Sequence, residues 1–496
     1  MIQTTPPHLN RWPWILAAIF FFLSVVWLGR SLDFSAYAHP DERNKIAQIV
    51  EGRYNFHHPL LMLNSVRVFT EAIGKSLDFE FVKLAGRWSS VFFTSFAVMF
   101  LVLLSGRLHG RLIAAAAGIF LLSNPHLFDL AHYFKEDPAL LFGISLSLFA
   151  MLIFSERPGY GAGIFLGLAT SCAVSGKYAG ALVIPFSIYI VLAASKNRVP
   201  DLAAMLAALA MGCLLINLPA FLAMGSASNS LDREIGLLTG VTKEVSRSVP
   251  HGVYSNVYWQ SSTPVLVGLL ALYGFGLARQ RFRLKPIEWV VVLFPVVYIA
   301  MLSFLPRTNH RYFLPAAAIL ACLSAFGLLR VMQFKNGKWI AALLIVVSVG
   351  WQVPRLYHAN AGFSQHHQSE ALQFLRTQLP PDSKTMEDRR VYFPPYDDST
   401  IVRRNVAPGD TMESLRQQGF THIIVTSRMY GEFFKKSSKP SKEGAADFAK
   451  MRSFYETLFD QGILLKEWLM GGNQYLANPL RIYSIASPEP SASEAR

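Results

Sequence analysis

Trp14-Ile-Leu-Ala-Ala-Ile-Phe-Phe-Phe-Leu-Ser-Val-Val-Trp-Leu28 carries one hydroxyl and no charge. With its flanks it approaches the roughly 20 apolar residues that a helix needs to cross a bilayer. The same reading applies to Val91 to Leu104, Ile113 to Leu122, Ala139 to Phe154, Ala162 to Val174 and Ala181 to Ala194. It applies again to Leu202 to Met224, Val265 to Ala278, Trp289 to Leu305, Leu314 to Leu329 and Trp339 to Val353. The sequence therefore predicts about eleven membrane spans. Hydrophobic residues make up 52% of the 496-residue chain, which excludes an ordinary soluble enzyme. Cys172, Cys213 and Cys322 all fall within predicted spans and read as packing residues, with no disulfide implied.

The net charge of +14 has a membrane explanation. Arg107, Arg111, Arg157, Lys196, Arg198, Arg279, Arg281, Arg283, Lys285, Arg330, Lys335 and Lys338 crowd short loops on alternate ends of the spans. Such loops stay in the cytoplasm. The N-terminus is thus expected inside and the C-terminus outside, in a multi-pass protein of the plasma membrane, most simply a bacterial inner membrane. These charges are scattered along membrane-flanking loops, so no nucleic-acid partner is expected. Ala36-Tyr37-Ala38 has the form of a signal-peptidase site, but the preceding apolar run is long for a signal sequence and a retained anchor is expected.

The loops on the outer side are unequal. The first runs from residue 31 to 87; the others are Asn124 to Pro138, a turn at Gly176-Lys177, Gly225 to Pro264, and Pro306 to Phe313. The predicted domains are a transmembrane domain over 1–357, a soluble outer α/β domain over 358–486, and a Ser/Pro/Glu-rich tail over 487–496, expected to be disordered. In the outer domain, Gln368 to Leu379, Met412 to Gln418 and Ala445 to Phe459 read as helices. Arg390 to Phe393, His422 to Thr426 and Arg481 to Ile485 read as strands.

Two acidic pairs lie in outer loops, Asp41-Glu42 and Glu136-Asp137. Asp41 and Glu42 precede a helix over Asn44 to Glu51 that is expected to lie on the membrane surface. Carboxylates favour helix N-termini for dipole reasons alone, and Asp137 before Pro138 is an ordinary cap-and-start pattern. Both pairs, however, stand at the lipid boundary, where an unneeded charge is costly. Lys135, Lys177, Arg307 and Arg311 stand on the same side. Snorkelling accounts for a lone lysine. The set supplies cations for an anionic lipid headgroup and carboxylates for a base.

His39-Pro40-Asp41-Glu42 followed by His58-Pro59-Leu60 resembles the first-loop pattern of the protein O-mannosyltransferase-like and aminoarabinose-transferase-like membrane glycosyltransferases. Ser175-Gly176-Lys177-Tyr178 is similar to their lysine-containing turn, and His310-Arg311-Tyr312-Phe313-Leu314-Pro315 to their late Arg-Tyr segment. His58 stands where the family has a first proline. Glu136-Asp137 is followed by Pro rather than spaced as a metal motif, so no cofactor is assigned, a divalent metal stays an option, and the partner of Asp41 is left open between the two acids. The resemblance implies the C-type glycosyltransferase fold, about 11 transmembrane helices with surface helices in the first outer loop. It also implies transfer of a sugar from a polyprenyl-phosphate donor to an acceptor outside the cytoplasm. Asp41 is then the expected general base, and Lys177 and Arg311 hold the phosphate. Glu42, His58, Glu136, Asp137 and Tyr312 are the remaining expected substrate contacts. The competing reading is a transporter or lipid-linked sugar flippase, which leaves the outer acidic pairs and the unequal loops unexplained.

Overall fold

The computed structural model describes residues 11–34, 40–74, 77–223, 258, 262–279, 284–303, 310–364, 366–388, 391, 393, 398–434, 444–469 and 479–486. Ala36-Tyr37-Ala38, His39, Arg307, most of the fourth predicted loop and the 487–496 tail lie outside them. The chain divides into two units, residues 1–32 with 41–357, and 33–40 with 358–496.

The first unit is helical: α1 (Trp12–Leu28), α2 (Pro40–Glu51), α3 (Leu61–Ala72), α4 (Phe79–His109), α5 (Arg111–Leu122), α6 (Pro125–Ala131), α7 (Glu136–Glu156), α8 (Tyr160–Gly176), α9 (Ile184–Ala194), α10 (Arg198–Leu222), α11 (Pro264–Arg279), α12 (Pro286–Ser303), α13 (Leu314–Val331) and α14 (Gly337–Phe363). Two 3-10 turns, Tyr178–Val183 and His310–Phe313, lead into α9 and α13. Among the described residues, six helices are long and apolar enough to cross a membrane, or seven if α5 and α6, bent by 61°, count as one span. Four shorter apolar helices fall on the remaining predicted segments.

Two helix starts refine the sequence reading. Helix α4 begins at Phe79, inside the first predicted loop, where Asp78 accepts the Glu80 and Phe81 N–H groups. Arg87 is a buried residue of that long helix. Helix α7 begins at Glu136, so Asp137 is not its cap; the N-cap position is Lys135.

Small residues let the central helices meet closely. A methyl group added to Gly143 of α7 would stand 2.3 Å from Ala173 Cα in α8, and one on Gly176 would stand 2.8 Å from the Ala139 carbonyl carbon. Without side chains there, dispersion contact and backbone approach hold α7 against α8. That crossing brings residue 137 beside residue 177.

The second unit includes α15 (His367–Thr377), β1 (Thr385–Glu387), β2 (Ile401–Arg403), α16 (Met412–Gln417), β3 (His422–Thr426), α17 (Ser427–Phe434), α18 (Ala445–Gln461), β4 (Ile463–Trp468) and β5 (Leu480–Ser484). Its sheet has the order β2-β1-β3-β5-β4. β1 pairs in parallel with β2 and β3, whereas β5 is antiparallel to both of its neighbours. One apolar cluster joins Leu415, Ile423, Phe454 and Leu458; another joins Leu372, Leu375, Ile424 and Ile482. Alternate residues of β3 thus enter opposite layers, as the period-2 pattern requires. The strand expected over Arg390 to Phe393 is absent at the described positions Val391 and Phe393, which pack as loop residues in the second cluster.

Candidate active site

The N-terminus of α2, the segment 134–137, the turn at Lys177 and the turn at Arg311 converge at one end of the helical unit. Asp41 Oδ2 lies 2.5 Å from Lys135 Nζ and 3.1 Å from Arg311 NH1. Asp137 Oδ1 lies 2.5 Å from Lys177 Nζ, and its Oδ2 lies 3.9 Å from Arg311 Nε. Arg311 therefore stands between the carboxylates of Asp41 and Asp137. This geometry makes Asp137, rather than Glu136, the acid that shares a cation with Asp41. Glu136 Oε1 lies 2.6 Å from Lys45 Nζ, one turn along α2 from Asp41.

Access separates the three acids. Asp41 is 37% exposed, whereas Asp137 and Glu136 are 1% and 2% exposed. Only Asp41 offers a carboxylate that an incoming molecule can reach. Four cations, Lys45, Lys135, Lys177 and Arg311, face the three acids, so this constellation among the described residues carries a surplus positive charge.

Lys177 sits over the Tyr312 ring at 4.2 Å, and the Arg311 guanidinium stands 5.6 Å from the same ring. Burial draws the Lys177 pKa down, but Asp137, Tyr312 and Glu136 outweigh it and hold it above the ordinary lysine value. The ammonium stays charged. His58 Nε2 lies 3.7 Å from Glu136 Oε1, and its ring packs against His57. Burial pushes the His58 pKa down to about 3, against the pull of Glu136, so its imidazole is neutral at physiological pH. The first loop is fastened around it: the Tyr178 hydroxyl donates to the Phe56 carbonyl at 2.7 Å, and Leu60 N–H donates to Asn217 Oδ1 at 2.9 Å.

Glu42 departs from expectation. It is wholly buried, as is Arg87. Arg87 Nε and NH2 donate to the two carboxylate oxygens at 3.0 Å each. Phe134 N–H donates to Oε1 at 2.9 Å, and Arg87 NH1 donates to the Leu32 carbonyl at 2.8 Å. A carboxylate so enclosed has no face toward a substrate; it joins α2 to α4 and to residue 134. Sequence reasoning missed Lys45 and Arg87. Lys45 follows Asp41 by four residues, hence on the same helix face. Arg87 stands four residues before the apolar run Val91 to Leu104 in the same helix, and an ionisable residue at that border is a functional signal. Among the described residues, no three His, Cys, Asp or Glu side chains converge as a metal-ligand set.

Residues 61–231 match the family model for dolichyl-phosphate-mannose-protein mannosyltransferase. Among solved structures, ArnT from Cupriavidus metallidurans in the apo state is similar over 96% of this chain and 99% of its own, with TM-score 0.53 and 16% identity. The same protein bound to undecaprenyl phosphate gives a TM-score of 0.50 at 14% identity, over 96% of this chain and 99% of its own. The apo oligosaccharyltransferase of Archaeoglobus fulgidus gives 0.53 at 11% identity, over 98% of this chain and 76% of its own. The chain has the C-type glycosyltransferase fold. No curated protein matches it by sequence. The segment that matches the family model carries Lys135, Glu136, Asp137 and Lys177. Asp41, Lys45, His58 and Arg311 reach the same constellation from outside that segment.

Proposed function

We propose that the protein is a glycosyltransferase that moves a sugar from a polyprenyl-phosphate donor to an acceptor outside the cytoplasm, with Asp41 as general base. The observation that carries the reading is a reachable carboxylate, Asp41, set among four cations with a surplus positive charge. An anionic headgroup is the ligand that such a site attracts, and the ArnT structure with undecaprenyl phosphate supplies an example of that chemistry on the same fold.

The acceptor hydroxyl attacks the anomeric carbon while Asp41 takes its proton. The bond between that carbon and the phosphate oxygen breaks, and its electron pair leaves with the lipid phosphate. Lys177 and Arg311 stand ready to hold the growing charge without reorganising. His58, neutral, donates a ring N–H to substrate; Tyr312, under both cations, offers a face for the sugar. Glu136 and Asp137 keep Lys45 and Lys177 in place. The acceptor is a protein, lipid or cell-envelope glycan, and the enzyme sits in the inner membrane with its second unit on the outer face.

Mass spectrometry of envelope lipids, glycans and proteins, with and without the enzyme, tests this reading. Loss of one glycan modification, with build-up of a polyprenyl-phosphate sugar, is expected. An unchanged glycan inventory with altered distribution of a lipid between leaflets would instead support a flippase.

A further inference from the structure

Three consecutive residues of one segment meet α2 in three different ways. Phe134 N–H donates to Glu42, Lys135 pairs with Asp41, and Glu136 pairs with Lys45. The link through Glu42 is the sealed one. Glu42 and Arg87 exclude water completely and meet through two parallel hydrogen bonds, the most directional ion pair that side chains make. Both neighbours of that link are reactive-site residues: Asp41 adjoins Glu42, and Lys135 adjoins Phe134.

We propose that Glu42 and Arg87 are positioning residues that set the Asp41 carboxylate in register with Lys135 for sugar transfer. The proposal rests on Asp41 being the base. Arg87 does this from α4, anchored also by the Leu32 carbonyl, so the buried pair ties the surface helix α2 to a long membrane helix. Close packing reinforces the register. The Phe134 ring lies where a methyl group on Gly86 would fall, at 2.3 Å, so residue 134 is pressed against the turn of α4 that carries Arg87. A slip of either strand of this contact displaces Asp41 and Lys135 together.

A merely structural pair and a positioning pair separate experimentally. Replacing a buried ion pair with apolar side chains of similar size is often neutral or stabilising. The double variant Glu42→Leu/Arg87→Leu is therefore compared with wild type for melting temperature, kcat and donor KM. The expected result is a folded protein whose melting temperature falls only moderately, since the Phe134 N–H and the Leu32 carbonyl each lose a partner, with kcat lower by about tenfold to a hundredfold and donor KM changed by less than about threefold. The donor-holding Lys177 and Arg311 are untouched, so binding is spared. Wild-type kcat in a stable double variant overturns the proposal. Should the double variant fail to fold, Arg87→Lys keeps the charge but loses the two-pronged contact. Its kcat is then expected to fall without loss of melting temperature, and unchanged kcat overturns the proposal. Absence of transfer even in wild type would strike at the glycosyltransfer reading instead, so the two failures are distinct.

Discussion

Arg311 links two acids and faces an aromatic ring, and each contact suits a guanidinium better than an ammonium. Arg311→Ala should raise the donor KM by about tenfold or more, the effect of losing a hydrogen bond to a charged group. Arg311→Lys should recover part of it. Arg330→Ala serves as the control, because Arg330 donates to the Gly276 carbonyl between α11 and α13. Equal donor affinity in Arg311→Ala and Arg330→Ala would contradict the assignment. His58 gives a pH prediction. Its pKa falls from 6.5 in a free chain to about 3 in the fold. Below pH 6.5 the unfolded chain takes up a proton that the folded protein refuses. Stability is therefore lost as pH drops below about 6.5, and the loss levels off near 3. Melting curves from pH 7.5 to 5 should show a steeper fall in wild type than in His58→Gln. His132, lowered to about 4 by burial, should leave a residual slope in both. Parallel curves would show that His58 is not the group responsible.

At the scale of elements, the α7–α8 crossing decides whether Lys177 meets Asp137. Gly143→Ala should force these helices apart and destabilise the protein by about 1–3 kcal/mol. Gly161→Ala, in α8 with open space around it, should be neutral or slightly stabilising. Thermal unfolding in detergent reads both, and equal effects would mean that the crossing is not tight. The helices themselves were legible from uninterrupted apolar runs, which is why all the predicted segments have a helix over them. The loop ends were less legible. Hydropathy marks where the lipid stops, not where hydrogen bonding stops, so α4 extends back to Phe79 past Arg87, and α6 lies inside a predicted loop. Charged residue types identified the site as a region, but partners across 94 residues, as for Lys135 and Asp41, follow from packing alone. In the second unit, β1 and β2 have three residues each, too short to show a period.

Across the whole molecule, four predicted outer loops supply the reactive constellation. At two predicted cytoplasmic boundaries Arg107 pairs with Glu156. This division fits a chain whose Lys/Arg-rich short loops stay inside. A reporter active only in the cytoplasm, fused at the C-terminus, should be silent, and strong activity would reverse the orientation. The proposed catalysis rests on Asp41, the reachable acid. Asp41→Asn keeps the shape of the side chain and an oxygen that accepts from Lys135 and Arg311, but cannot take up the acceptor's proton. The purified variant should be measured beside wild type for sugar transfer from a polyprenyl-phosphate donor, for donor binding and for melting temperature. Transfer should fall by about a hundredfold to ten-thousandfold while donor binding and melting temperature persist. Near-normal transfer by Asp41→Asn would contradict its role as the base.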